Sequence, residues 1–230
     1  MIKLERDKTK FYTDYEIATI TENKITPLTY ANYYVMENFL NSDEIIAVCN
    51  LLEKYDDQTT KGAIIGYSNE EAEAMQLRDS NIYFLNDDKE YEKYNELIVN
   101  KVEEINKNIF NLDLTSYMAP QYTLYGQAQY FNWHPDGPLG VLDARGLNCI
   151  PSNLNWRKLS MSIILNDDYE GGNFQILNYS GNPECNGVHT VEMKKGTAIL
   201  FPSFAAHRVM PVTSGTRKTL IYWFCGPRWK

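Results

Sequence analysis

Larger apolar side chains occupy every second position of the sequence KLSMSIILN, residues 158–166. The odd positions form one wholly apolar face, made of Leu159, Met161, Ile163 and Leu165. The even positions form a smaller face, made of Ser160, Ser162 and Ile164. A period of two predicts a β-strand with unlike faces. We expect the apolar face to pack in a core and the smaller face to line a cavity.

The same period continues on both sides of this strand. After about Leu112, runs of Tyr, Ile, Val, Phe and Thr are punctuated by glycine and proline, and 197–201 and 217–224 are two further predicted strands. Several short strands without intervening helices favour a sandwich or jelly roll. We therefore predict that residues 116–230 form a β core.

The N-terminal half has a helical period instead. Ser42 precedes two acidic residues and an apolar series at helical spacing, which predicts a helix start. Between Lys89 and Phe110, apolar residues again step by three and four. We predict that residues 1–115 are a mainly helical flanking segment packed on the core, so the fold class is α+β.

Composition limits the possible partners. The chain has 230 residues and a formal charge of -8, from 22 basic and 30 acidic residues, which disfavours nucleic acid. No apolar run is long enough to span a membrane, and the charged start shows no secretory signal, so we expect a cytoplasmic protein with no membrane partner. The four cysteines are far apart and form no CxxC, which argues against a zinc knuckle or a disulfide framework. The oligomeric state is not predicted.

Three polar residues have the types and spacing of metal ligands. His134 and Asp136 are two apart at the end of a predicted strand, so their side chains leave the same face. His207 precedes another predicted strand and can reach the same point from elsewhere in a sandwich. Two imidazoles and one carboxylate leave three positions open, which suits non-haem Fe(II), whereas structural zinc requires four ligands. A satisfied surface pair at His134 and Asp136 is the alternative.

An arginine begins one of the predicted strands. Arg217, Thr219, Ile221 and Trp223 alternate on one face. An arginine on a largely apolar inward face needs an anion, and its planar guanidinium matches a carboxylate. The alternatives are a solvent-facing edge arginine and, for Trp223, plain core packing.

Four stretches of sequence, in this order, resemble the Fe(II)/2-oxoglutarate-dependent dioxygenases, and most of all their prolyl-4-hydroxylase-like, PKHD-type branch. They are WHPD (133–136), RKLS (157–160), YEGG (169–172) and HRVMPVTSGTR (207–217), the last of which holds both the second histidine and the arginine. Three positions depart from the family pattern: Ala128 stands where the family has a glycine, Asn173 where an acidic residue is common, and Ile164 where some relatives place a tyrosine.

The resemblance implies a double-stranded β-helix, or jelly roll, with N-terminal flanking helices. It implies Fe(II) bound by the catalytic ligands His134, Asp136 and His207, and the distal carboxylate of 2-oxoglutarate paired with Arg217. Tyr125 is similar to the family's tyrosine that hydrogen-bonds this cosubstrate, and we expect Thr219 and Trp223 to lie beside it. Because Tyr125 is nine residues before His134, the chain must bend between them, near Gly126.

The implied reaction is hydroxylation of an unactivated C–H bond with O2, releasing succinate and CO2. The expected substrate is a prolyl residue of a peptide or protein, or a proline-like small molecule. Rival interpretations are a non-catalytic jelly-roll binding module and a hydrolytic zinc enzyme. The irregular stretch 137–157 leaves directly from Asp136, and we expect it to close over the metal as a lid. A static surface loop is the alternative.

Overall fold

The computed structural model describes residues 16–21, 24–29, 33–64, 67–86, 88–137, 156–178 and 187–227. Nearly all of the predicted lid, residues 138–155, lies outside them, as does Cys185. No helix among the described residues is long and apolar enough to cross a membrane.

Strands outnumber helices. The strands are β1 (Glu16–Thr21), β2 (Lys24–Thr29), β3 (Tyr34–Met36), β4 (Thr60–Lys61), β5 (Arg78–Asp79), β6 (Asn81–Phe84), β7 (Ser116–Tyr117), β8 (Gln121–Tyr125), β9 (Tyr130–His134), β10 (Trp156–Ile164), β11 (Tyr169–Gly171), β12 (Phe174–Asn178), β13 (Gly187–Val191), β14 (Ala198–Pro202), β15 (His207–Val209), β16 (Val212–Gly215) and β17 (Arg217–Gly226). The helices are α1 (Ser42–Leu52), α2 (Asn69–Ala74) and α3 (Glu92–Ile105). A 3-10 turn, Glu53–Gln58, follows α1, and a π turn, Asn106–Phe110, follows α3.

Two antiparallel sheets carry the structure. The larger runs in the order β3-β14-β10-β17-β8-β6-β4, with β7 also paired to β17, and the smaller runs in the order β13-β12-β15-β9-β5. Two further pairs, β1-β2 and β11-β16, stand apart from both sheets. The long central strands β10 and β17 lie side by side, with Ser162 opposite Ile221.

The two faces of β10 behave as the alternation predicts. Its apolar face belongs to a core cluster that includes Val48 and Leu52 of α1 and Ile98 and Val102 of α3. A second, smaller cluster joins both sheets and includes Phe174, Ile176, Phe201 and Val209. The helices therefore cover the outer face of the large sheet, and the inner face is left for the site.

The helices begin and end close to their predicted bounds. Helix α1 is capped by Asn41, whose side chain accepts from the backbone N–H of Glu44 while the Glu44 carboxylate accepts from the Asn41 N–H. The cap is thus one residue before the predicted start. Helix α3 stops at Ile105 rather than at Phe110, because its last turn widens and ends at Asn111 with φ 49°.

The N-terminal half contains more strand than its pattern predicts. Strands β3, β4 and β6 extend the large sheet, and β5 extends the small one. These strands have only two to four residues, too few to display a clear period of two, so the sequence carries no signal for them. A domain boundary at residue 115 stays a prediction, and the pairing of Arg78 with Phe131 shows that chain from both sides of it builds the small sheet.

The predicted bend follows Tyr125. Strand β8 ends there, and Ala128 two residues beyond Gly126 has φ 66°, a left-handed conformation that disfavours a side chain. The N–H of Ala128 donates to the carbonyl of Val212 over 2.8 Å, which holds the turn in place. The strained residue is thus the alanine that departs from the family pattern.

Candidate metal centre

Two strand ends bring three ligand-type side chains together. Strand β9 ends at His134, β15 begins at His207, and these residues are directly paired across the small sheet. Asp136 follows β9 by two residues, and its carboxylate oxygens lie 3.6 Å from Nε2 of each histidine. The three ligand atoms lie within 4.8 Å of one another. One ion can therefore contact all three.

Backbone carbonyls fix which ring nitrogen faces the carboxylate. Nδ1 of His134 lies 2.7 Å from the carbonyl oxygen of Asn132, and Nδ1 of His207 lies 2.9 Å from that of Ala205. Because a carbonyl oxygen only accepts, each Nδ1 carries the hydrogen and donates. Each Nε2 is left with a lone pair directed into the cluster, as a metal ligand requires.

Electrostatics favours the protonation states that bind cations. Burial lowers the pKa of His207 to about 4, which keeps this imidazole neutral at neutral pH. Burial alone would raise the pKa of Asp136, but the adjacent His207 and His134 and a hydrogen bond from Ser160 hold it well below its usual value. A neutral imidazole and an ionised carboxylate are the forms that donate electron pairs to a metal.

Aromatic rings surround the imidazoles. The ring of Phe131 stacks on His134 with centroids 3.4 Å apart, and the rings of Phe174 and Phe201 lie 5.5 and 4.5 Å from that of His207. These contacts restrain both imidazoles and keep water from their faces.

The cluster lies in a pocket between the two sheets. The pocket encloses about 450 Å³ of space, including the open space at its mouth. It is lined by the three ligand-type residues together with Arg78, Gln121, Tyr125, Phe131, Met161, Ser162, Phe174, Phe201, Val209, Arg217, Ile221 and Trp223.

Arg217 is a buried charged residue of the pocket wall. Its side chain is 1% exposed, and its Nε has no hydrogen-bond partner among the described residues. Burial lowers the pKa of Arg217, opposed by the hydroxyls of Tyr169 and Tyr125, yet a guanidinium stays protonated. A buried, charged donor of this kind is satisfied by a bound anion, and a carboxylate has the matching shape.

The other predicted cosubstrate residues fall in two groups. Tyr125 and Trp223 line the pocket, and the ring centroid of Tyr125 lies 5.6 Å from Cζ of Arg217. Thr219 is fully buried beneath them, and its hydroxyl lies 3.5 Å from the carbonyl oxygen of Thr123. Thr219 is absent from the pocket lining, so its contact with a cosubstrate stays a prediction.

Known proteins match this part of the chain. Residues 120–225 match the model of the 2OG-Fe(II) oxygenase superfamily. This match covers a little less than half of the chain. A PKHD-type hydroxylase of Janthinobacterium sp. (strain Marseille) is 32% identical over 110 residues, which are 46% of this chain and 43% of the relative. One of Xylella fastidiosa (strain M23) is 31% identical over 108 residues, 46% of this chain and 44% of the relative. The match thus spans less than half the length of these curated relatives.

Solved structures with the same fold cover more of the chain. A prolyl-4-hydroxylase of Pseudomonas putida matches 86% of this chain and 94% of its own, with a TM-score of 0.64 and 18% identity. A prolyl hydroxylase of Trichoplax adhaerens matches 84% of this chain and 83% of its own, with a TM-score of 0.65 and 18% identity. These likenesses establish a mostly β fold of the prolyl-hydroxylase type.

Sequence reasoning missed two residues beside the pocket. Arg78 enters the lining from the two-residue strand β5, which carries no periodic signal. Arg157 is the second residue of β10 and donates from Nη1 to the backbone carbonyl of Asp136 over 3.2 Å. Because Arg157 comes directly before the predicted strand 158–166, the sequence indicates that it is ordered. Nothing in the sequence predicts its contact with a metal ligand.

Gly172 provides a test of how Arg217 is positioned. A Cβ there would lie 2.9 Å from Cδ of Arg217 and 2.9 Å from Cγ2 of Val212, at a φ of +60°. We expect Gly172→Ala to destabilise the fold by about 2 kcal/mol or more, from backbone strain plus the clash, and to weaken 2-oxoglutarate binding. Urea unfolding and cosubstrate titration measure the two effects. The matched control is Gly187→Ala, at φ +127° with nothing within 4 Å of its Cβ, and equal cosubstrate affinity in both variants would contradict the packing argument.

Proposed function

We propose that the chain is an Fe(II)- and 2-oxoglutarate-dependent oxygenase that hydroxylates an unactivated C–H bond. The observation that carries this proposal is the convergence of His134, Asp136 and His207 in one pocket. The same pocket contains Arg217, whose buried Nε has no hydrogen-bond partner among the described residues. Two imidazoles and one carboxylate leave room on the metal for other ligands, which suits non-haem iron. The proposal extends the similarity to the 2OG-Fe(II) oxygenase superfamily to an activity.

The residues fit the iron that the family implies. Both Nε2 lone pairs and the Asp136 carboxylate point into one cluster, and the ring contacts hold them there. Bound Fe(II) would supply activation of O2 coupled to decarboxylation of 2-oxoglutarate to succinate and CO2, and thereby hydroxylation of the substrate.

Residues of the large sheet fit the cosubstrate. Arg217 would pair with the distal carboxylate, because its Nε is buried and lacks a hydrogen-bond partner among the described residues. Tyr125 is opposite Arg217 in the strand register, so its hydroxyl and ring bound the same space, and Trp223 would form a wall. Facing sheets lie about 10 Å apart, a gap that a five-carbon dicarboxylate spans from metal to arginine.

The finer architecture also remains a proposal. We assign the large and small sheets to the facing walls of a double-stranded β-helix, residues 116–230, with residues 1–115 flanking it. The pairing of β9, β12 and β15 in one wall and of β8, β10, β14 and β17 in the other supports this assignment.

We propose a prolyl substrate from the similarity of this chain to named hydroxylases. The curated relatives are named PKHD-type hydroxylases, and the Trichoplax adhaerens protein was solved with a peptide fragment of hypoxia inducible factor. A prolyl residue of a peptide, or a proline-like small molecule, is accordingly the first substrate class to test.

Anaerobic reconstitution with Fe(II), followed by exposure to O2 with 2-oxoglutarate, tests the activity. We expect succinate to form, and to form faster with a reactive member of a panel of proline-containing peptides and free amino acids. A non-catalytic jelly-roll binding module would form no succinate. A hydrolytic zinc enzyme would retain zinc and leave 2-oxoglutarate unchanged.

A further inference from the structure

Arg78 places a positive charge in the metal pocket with only neutral partners. Its guanidinium carbon lies 4.6 Å from the ring centroid of Phe131, the ring that stacks on His134. Nε donates to the Ser80 hydroxyl over 2.7 Å, and Nη1 donates to the Ala63 carbonyl over 3.3 Å. These acceptors orient the guanidinium but leave its charge unbalanced.

Arg157 repeats this arrangement on the other side of the metal ligands. Its guanidinium carbon lies 4.0 Å from the ring centroid of Trp223, a residue of the pocket lining. Nη1 donates to the carbonyl of Asp136, and Nε lies 3.1 Å from Sδ of Met118. Both contacts are again to uncharged atoms.

Among the carboxylates that the structure describes, that of Asp136 is the one whose charge acts on both arginines. Asp79, the neighbour of Arg78, instead contacts Lys61 over 2.5 Å and Gln129 over 2.8 Å. Asp136 is the one carboxylate in the described pocket lining, and it belongs to the metal cluster. Both guanidinium groups therefore remain available to a bound anion.

The net charge of the site with iron and 2-oxoglutarate bound also favours a further anion. Three arginines, Arg78, Arg157 and Arg217, surround a single carboxylate in the described residues. Fe(II) carries two positive charges and 2-oxoglutarate two negative ones, so binding both leaves the net charge of the site unchanged. An excess of two positive charges remains, in a chain whose formal charge is -8.

A hydrogen-bond donor in the same place also lacks an acceptor. Trp223 is 7% exposed, and its indole Nε1 has no partner among the described residues. A buried N–H without a partner is unfavourable, and indole nitrogen can only donate. The ligand that completes this wall thus supplies oxygen acceptors as well as negative charge.

We infer that the substrate carries a carboxylate close to the carbon that is oxidised, and that Arg78 and Arg157 bind this carboxylate beside the metal. The inference rests on the proposed function and narrows its substrate class. The carboxylate can belong to a free small acid or to an acidic side chain of a peptide, because the two present the same chemistry.

Matched acid and amide ligands test the inference without turnover. The protein is loaded with Mn(II) and 2-oxoglutarate under argon, and binding is measured by calorimetry. N-acetylproline is compared with N-acetylprolinamide, and the capped dipeptide Pro-Glu with capped Pro-Gln. We expect the acid of at least one pair to bind about 10-fold or more tightly than its amide, as charge-assisted bonds to arginine predict. The pair that shows the preference identifies the source of the carboxylate.

Variants assign the preference to the two arginines. We expect Arg78→Gln and Arg157→Gln to abolish most of the acid preference while Mn(II) and 2-oxoglutarate affinities stay unchanged. Arg208→Gln is the control, because Arg208 lies against Trp133 and bonds to Gln175 outside this pocket. Equal binding of acid and amide in both pairs, with 2-oxoglutarate still bound, would overturn the inference and leave the proposed function standing. Failure to bind Mn(II) or 2-oxoglutarate would overturn both.

Discussion

His207→Ala should weaken divalent metal binding by more than about 100-fold and abolish succinate formation. Loss of groups that only support a metal ligand already lowers affinity by about 10- to 100-fold, and His207 contributes a ligand atom itself. The neutral, carbonyl-oriented imidazole of His207 has no substitute among the described residues, because no other imidazole, thiol or carboxylate joins the cluster. Calorimetric titration with Mn(II) measures the affinity.

His189→Ala is the control for the loss of a histidine elsewhere. The ring of His189 lies 2.9 Å from the hydroxyl of Tyr33 and takes no part in the metal cluster. We expect this variant to bind Mn(II) like the unmodified protein. Metal affinity that survives in His207→Ala but falls in His189→Ala would place the site elsewhere.

Arg217→Ala should raise the apparent KM for 2-oxoglutarate by roughly 10- to 150-fold, with metal affinity unchanged. The substitution removes a charge-assisted bidentate pair that contributes on the order of 1.5–3 kcal/mol. Arg217 touches none of the three ligand-type residues in the contacts of the described chain, so metal binding should remain intact. Succinate formation against cosubstrate concentration gives KM, and Mn(II) titration gives metal affinity.

Arg208→Ala serves as the matched arginine control, since its guanidinium lies 4.7 Å from the ring centroid of Trp133, away from the pocket lining. Its KM for 2-oxoglutarate should stay within about two-fold of the unmodified value, as for surface charges in general. An unchanged KM in Arg217→Ala would mean that another residue binds the distal carboxylate.

The sequence predicted those parts of the molecule that repeat a local period. The alternation around Ser162 identified the strand and its smaller face, from which Ser162 lines the pocket. The helix that became α3 was recognised for the same reason. Its end was placed late, since Ile109 continues the apolar spacing although the turn has widened and its side chain is 38% exposed.

The site was predictable where spacing and chemistry coincide. His134 and Asp136 are two residues apart at the end of a predicted strand, and His207 comes just before another predicted strand. Arg78 was not predictable, because its position depends on pairing with Phe131, more than fifty residues away, through a strand too short to leave a pattern. The left-handed conformation of Ala128 was equally hidden, since alanine carries no signal for positive φ.

Anaerobic titration of 2-oxoglutarate into the Fe(II)-loaded protein, followed by its visible charge-transfer absorption, tests the central claim most directly. We predict that the absorption saturates at one chelate per chain, is missing in His207→Ala, and needs higher 2-oxoglutarate concentrations in Arg217→Ala. Absence of the absorption in the unmodified protein, with iron bound, would contradict a metal centre that receives 2-oxoglutarate between His134, Asp136, His207 and Arg217.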